Sequence, residues 1–251
     1  MKTAGRVCAF SIAAALAAIG ELIGSAWADG GAPTERPNWL RTYSALDLGN
    51  DVFSTYSRYI IALNRDLSSE GWRLRLGNSY TKYEYSCGCY TIEGRRWQAD
   101  IMLGYEFFRD GTSIAAFVGA DYIDHHLDRF DPFNEVRGDE TGVKFAVNIE
   151  RTGPFYFNLI GEYSTAFNEY WALLRVGQAY GRFTIGPEVQ IDGDDNYDVQ
   201  RLGGFAGFDI SILPGMTSRI YASAGYQFTD SDIGAGGREG GYGTLAIGSK
   251  F

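Results

Sequence analysis

The 251-residue chain carries 22 Lys and Arg against 31 Asp and Glu, a formal net charge of −9, with 33 glycines, 17 tyrosines and 16 phenylalanines but only 6 prolines. An acidic chain without clustered Lys and Arg excludes a nucleic-acid partner, because neutralising phosphates needs such clusters. Glycine and aromatic enrichment suits alternating strands edged by aromatic girdles, and beyond the N-terminal leader no apolar run is long enough for a membrane-spanning helix.

In chain order, Lys2 and Arg6 precede an apolar run from Val7 to Ile19 that is too short to cross a bilayer as a helix. Ser25-Ala26-Trp27-Ala28 then presents small residues at both A-x-A positions before Asp29. This pattern predicts a signal peptide over residues 1–28, cleaved after Ala28, with an N-terminal membrane anchor as the alternative. Cys8 opens the apolar run instead of following it, which argues against a lipid-anchored cysteine. Residues 29–42, rich in Gly, Pro and charge, read as a flexible lead-in, and residues 43–251 as one domain.

Within that domain the clearest strand is Trp97 to Phe107: Trp97, Ala99, Ile101, Leu103, Tyr105 and Phe107 face one way, Gln98, Asp100, Met102, Gly104 and Glu106 the other. The same period of two returns in Val143 to Glu150, in Phe155 to Tyr163, and around Leu174, Ile185, Leu202 and Ala222. About twelve strands result, an even number as bacterial barrels require. Short connections at Asp66 to Gly71, Arg109 to Gly111, Arg151 to Pro154, Tyr180 to Arg182 and Leu213 to Met216 alternate with long ones. The long ones are Ser86 to Arg95, His126 to Gly138, Asp192 to Asp198 and Asp230 to Gly240, with Phe167 to Glu169 a short exception.

The predicted fold is therefore all-β: a single transmembrane antiparallel up-and-down β-barrel of about 12 strands, following a cleaved signal peptide. Its N-terminus faces the periplasm in a Gram-negative outer membrane. Its last strand, Tyr242 to Phe251, ends on an aromatic, the assembly signal that barrel-assembly machinery pairs with before the edge is closed. A soluble lipocalin-like barrel or β-sandwich explains the period but neither the loop alternation nor Phe251.

The polar face of these strands carries Arg73, Arg75, Lys144, Arg175, Arg201, Arg219 and Lys250 beside Asp100, Glu106, Asp121, Glu150, Glu162, Glu188 and Asp209. A lining of one sign would make an ion-selective pore, whereas balanced charges cross-link into pairs that narrow the lumen. The alternative use of this lining is a narrow polysaccharide passage in which Tyr156, Trp171 and Tyr221 stack on sugar rings. His125 and His126, the two histidines, sit where an outer-membrane hydrolase or acyltransferase would keep a general base, with Ser164 or Ser223 as candidate nucleophiles and no G-x-S-x-G motif. Polar loop-edge histidines are the blander reading. Asp192, Asp194, Asp195 and Asp198 imitate the front of a calcium loop, but Gly203 stands where its bidentate glutamate belongs. A solvated loop, bridging weakly through divalent ions to lipopolysaccharide phosphates, is the expectation. Cys87-Gly88-Cys89 supplies half a zinc site at most, so neither a metal nor a cofactor is expected.

Several segments resemble the cellulose biosynthesis protein BcsS family of alphaproteobacteria: Ala62 to Arg75, Trp97 to Tyr105, Tyr163 to Ala172, Ile185-Gly186-Pro187-Glu188 and Tyr197 to Gly203. The resemblance runs over nearly the whole mature chain. It implies a non-catalytic accessory role in cellulose production, export or surface anchoring, with cellulose or its synthase and export complex as partners beside outer-membrane lipids. The competing expectations are a lipid hydrolase or acyltransferase using His125 or His126, and a general porin.

Overall fold

In a computed structural model, residues 37–87, 90–211, 216–231 and 238–251 are described. They form twelve strands: β1 Leu40–Asn50, β2 Val52–Ala62, β3 Gly71–Cys87, β4 Tyr90–Arg109, β5 Thr112–Leu127, β6 Gly138–Arg151, β7 Phe155–Ser164, β8 Tyr170–Tyr180, β9 Phe183–Asp194, β10 Tyr197–Ile210, β11 Thr217–Ser231 and β12 Arg238–Lys250. Every strand pairs antiparallel with its sequence neighbours, and β1 pairs with β12 to close the cylinder. At that seam Phe251 exchanges backbone hydrogen bonds with Leu40, its carbonyl accepting at 3.2 Å and its amide donating at 2.9 Å. Closure leaves no strand edge unpaired, the condition for β-structure in lipid. The signal-peptide segment, Cys89, and the connections expected within 212–215 and 232–237 lie outside the described residues.

Alternation sorts the side chains into two environments. On β4, Trp97, Ile101, Leu103, Tyr105 and Phe107 are exposed, while Gln98, Met102 and Glu106 are buried. The same outward apolar set continues through Val118 on β5, Val143 and Phe145 on β6, Ile185 and Val189 on β9, and Leu202 on β10. Water would not tolerate so continuous an apolar exterior on a monomeric protein. Aromatics edge it on both sides: Trp72 packs edge-on against Tyr105 and Phe183 against Phe208 near one end, Trp97 against Tyr122 and Tyr226 against Phe228 near the other. At ~3.3 Å per residue and a tilt of about 40°, Trp97 and Phe107 stand about 25 Å apart along the barrel axis, the height of the apolar band on a membrane barrel. The exterior is therefore that of a transmembrane barrel, with hydrocarbon as the solvent its strands face.

The end where β1 begins and β12 finishes is here the base, the opposite end the rim. The barrel opens at Leu40, upstream of the expected start at Tyr43, because Leu40, Arg41 and Thr42 already pair with Ile61, Ile60 and Tyr59 of β2. Two connections expected to be long rim loops are strand instead. Across Ser86 to Arg95 the β3–β4 ladder continues, with Glu84 opposite Glu93 and Ser86 opposite Thr91. Tyr83, Tyr85 and Ile92 form a buried cluster on its inner face, while Lys82 and Arg95 pair with Glu93 on its outer face. The polarity there marks a strand that has left the bilayer. Asp192 to Asp198 is likewise a hairpin whose turn is only Asp195-Asn196, fixed by the Asn196 amide donating to Asp194 Oδ1 at 2.8 Å. Among the described residues no cluster of His, Cys, Asp and Glu suits a metal ion. At the base, the connection before Gly71 is a longer hydrogen-bonded turn in which the Ser68 hydroxyl and amide hold the Asp66 carboxyl below the usual carboxylate range.

Candidate functional site

The interior is polar by the same alternation that makes the exterior apolar, yet it is not an open tube. Arg73, on β3, donates from Nε to Glu106 Oε2 at 2.8 Å, and Arg41, on β1, donates to Glu106 Oε1 at 3.0 Å, with the Ser113 hydroxyl completing the shell at 2.6 Å. This triad lies near the base, where Arg73 also donates to Asn64 Oδ1 of the neighbouring turn.

Halfway up, Glu162 of β7 collects three cations: Arg58 of β2 and Arg75 of β3 from across the lumen, the latter at 2.8 Å, and Lys144 of the neighbouring β6 at 3.4 Å. Lys144 also reaches Asp100 at 3.3 Å and Asp121 at 3.9 Å. Gln98 ties Asp121 to Glu169, donating to them at 2.9 and 2.8 Å, and Arg96 pairs with Glu169 at 2.7 Å. Since β2 and β7 are far apart in the strand order, these bonds run across the lumen.

On the opposite wall Arg175 pairs with Glu188, which also accepts from Ser223 at 2.8 Å and Tyr242 at 3.2 Å. Arg201 of β10 holds Asp47 of β1 at 2.8 Å and donates to Gln227 at 2.9 Å. Aromatics close the remaining space: Tyr156 of β7 meets Tyr221 of β11 hydroxyl to hydroxyl at 3.2 Å, with Phe205 beside Tyr156 and the Arg175 guanidinium over Phe205 and Tyr221. Apolar side chains inside the barrel, Ile60, Met102 and Phe117, fill a further pocket between charged layers. Desolvated charges are tolerated here because each has partners; stripped of them they would cost several kcal/mol apiece.

Above this cross-linked layer a cavity of about 140 Å³ extends toward the rim. Its lower part is Arg58, Arg75, Lys144 and Glu162, and its walls include Tyr56, Trp171, Gln190, Asp192, Asp194 and Tyr197. Tyr56 and Trp171, from β2 and β8, meet edge to face with centroids 6.4 Å apart.

The structure therefore brings together Arg75, Asp100, Asp121, Lys144 and Glu162 in one cluster, Arg73 and Glu106 in a second, and Arg175 and Glu188 in a third; Arg201 joins Asp47 and Trp171 lines the cavity. Asp209 and Arg219 stand apart as a half-exposed pair near the base. Sequence reasoning missed Arg41, Asp47, Arg58, Arg96 and Glu169. The first three belong to β1 and β2, whose mixed lettering hides the alternation; Arg96 shares the inward parity of Gln98 and Asp100 and was legible from it.

The two histidines face different surroundings. His125 is buried, with Nε2 2.8 Å from the Tyr83 hydroxyl and Nδ1 against the Val136 carbonyl, while His126 is exposed on the other face of β5. Ser223 is engaged by Arg175 and Glu188, and Ser164 Oγ accepts from the Ala166 amide at 3.1 Å. Among the described residues no serine hydrogen-bonds to either histidine.

No curated protein matches the sequence. Among solved structures the chain is similar to the β domain of the Bordetella autotransporter BrkA, at 14% identity and TM-score 0.44, covering 85% of this chain and 98% of that one. It is similar to the translocator domain of the autotransporter NalP from Neisseria meningitidis, at 12% identity and TM-score 0.48, over 96% of this chain and 97% of that one. Outer membrane phospholipase A from Escherichia coli shows 12% identity and TM-score 0.40, over 85% and 95%. The family model of the cellulose biosynthesis protein BcsS matches residues 41–251, nearly the whole described barrel, and the chain belongs to that family.

Proposed function

We propose that this protein is a non-catalytic outer-membrane component of cellulose biosynthesis that holds the glucan at the cell surface instead of conducting it. The observation that carries the reading is the set of ion pairs that cross the lumen between strands three to five apart, Glu162 to Arg58 and Arg75 and Asp47 to Arg201, which narrow the section a passing chain would need. An obstructed lumen speaks against a general porin, and the engagement of His125 by Tyr83 and Val136 speaks against a hydrolase. Residues 1–28 serve as the export signal and residues 29–39 as a lead-in to the barrel. The base then faces the periplasm, where Phe251 is available to barrel-assembly machinery and the synthase and export complex is within reach. The rim faces lipopolysaccharide.

Gene deletion followed by separate measurement of cell-attached and released cellulose tests this. Loss of attached cellulose is the expected result. Unchanged amount and attachment would remove the role while leaving the barrel intact.

A further inference from the structure

The walls of the cavity above the cross-linked layer hold polar groups that make no hydrogen bond to other side chains of the protein. Gln190 is more than nine-tenths buried and Asp192 and Trp171 are part-buried, all three line the cavity, and none of the three side chains hydrogen-bonds to another described residue. Below them each charge of Glu162, Arg58 and Lys144 is matched. An amide held so far from bulk water without a protein partner, with a carboxylate and an indole facing the same cavity, is suited to a partner that arrives from outside.

The chemistry of that partner follows from the lining. Five cationic and six acidic side chains face the cavity, a near balance that offers an ionic ligand little net attraction. Anionic sugars or phosphates would in addition meet Asp192 and Asp194 directly. Three observations favour a neutral polyol with flat apolar faces. Carboxylate and amide groups accept from and donate to adjacent hydroxyls. Tyr56, Trp171 and Tyr197 offer ring surface for C–H faces. The space, on the order of ten water volumes, fits a hexose-sized ring.

We propose that this cavity is an end-on binding site for the terminus of a neutral oligosaccharide, the β-glucan of the reading given above, on which this inference rests. Because the floor is closed by Arg58, Arg75 and Glu162, only the first ring or two of a chain can enter, and the rest must leave through the rim. A site that chain length cannot deepen distinguishes this arrangement from a transport groove, along which each added sugar would find new contacts.

The test is calorimetric titration of the purified full-length mature barrel, in a detergent without a sugar headgroup, with cellobiose, cellotriose and cellopentaose. Saturable 1:1 binding with an affinity that stops rising by the trisaccharide is expected. Asp192→Asn, which preserves shape, and Trp171→Ala should each weaken it about tenfold or more, while Trp97→Phe on the lipid face should not. Heat-modifiable gel mobility establishes that each variant is folded. No binding of any of the three sugars, affinity that climbs through the pentasaccharide, or indifference to both cavity substitutions overturns the proposal. Absent binding combined with lost surface cellulose in the deletion strain overturns this site and leaves the cellulose role standing; binding with unchanged surface cellulose does the reverse.

Discussion

The Arg75 guanidinium on β3 donates to Glu162 Oε2 on β7 at 2.8 Å, bridging walls that lie four strands apart around the barrel. Glu162 also faces Arg58 and Lys144, so three cations share one carboxylate, although Arg75 and Lys144 have Asp100 as a second partner. Removing it strips Arg58 of its carboxylate and leaves three buried cations short of one negative charge, which costs about 3–5 kcal/mol. Glu162→Ala should therefore lower the urea midpoint of the detergent-refolded barrel by that amount, and Glu162→Gln by somewhat less because the amide oxygen still accepts a hydrogen bond. A midpoint within experimental error of the parent would show that the transluminal cluster contributes nothing to holding the walls together.

The two faces of β4 give a sharper test of membrane seating. Ile101 is 54% exposed and Met102 1% exposed, although they are consecutive. If hydrocarbon surrounds the barrel, Ile101→Arg costs ~2–4 kcal/mol near the bilayer midplane. A soluble barrel would accept the same change almost freely, since a charged surface residue is ordinary in water. The measurement is folding of the variant into lipid vesicles compared with Leu48→Arg closer to the rim, where a smaller penalty is expected. Equal, negligible penalties at both positions would defeat the transmembrane reading.

Close backbone approach makes a third prediction. A Cβ on Gly119 would lie 2.0 Å from the Ile101 carbonyl oxygen and 2.5 Å from Met102 Cα, both backbone atoms that cannot swing aside. Gly243 has only the Ser223 carbonyl, at 3.8 Å. Gly119→Ala should force the β4–β5 ladder apart and cost at least about 1–3 kcal/mol, whereas Gly243→Ala should be close to neutral. Comparison of their folded yields and unfolding midpoints decides the matter; equal behaviour would mean that β5 can shift without penalty.

The fold was largely legible because strand alternation is local. Trp97 to Phe107 declares its two faces within one strand, and antiparallel neighbours follow from short connections such as Asp110-Gly111. What could not be read is which inward charge meets which. Arg58 and Glu162 are 104 residues apart, and their meeting depends on strand number and stagger around the whole cylinder. Ile60 and Phe117 look like lipid-facing residues by hydrophobicity alone, yet parity turns them inward. The misread hairpins share one cause: once a strand leaves the bilayer, water accepts polar residues on its outer face, and alternation in Glu84 to Glu93 then fades to the eye although Tyr83, Tyr85 and Ile92 keep it on the inner face.

His125 and the connection over residues 128–137 supply the last prediction. The Val136 carbonyl meets His125 Nδ1, Tyr85 donates to Asp131 at 2.8 Å, and Asn134 joins Tyr85 at 3.1 Å and Asn196 at 2.8 Å. Asp131, Asn134 and Val136 are thereby buried, while Phe130 before them and Phe133 among them remain exposed. The connection is thus pinned at three residues, and His125 holds one of them. Substituting His125 by alanine leaves the Val136 carbonyl and the Tyr83 hydroxyl without a partner, a local loss of about 1–3 kcal/mol. Trypsin should then cut faster at Arg129 and Arg137 in proteoliposomes whose rim faces outward, roughly in proportion to the added opening of the loop. His126→Ala, on the exposed side of the strand, should leave the cutting rate unchanged. Neither substitution should alter phospholipid turnover. Were His125→Ala to abolish a lipid hydrolysis activity while the loop stayed as resistant as before, His125 would be a general base and its contacts with Tyr83 and Val136 secondary.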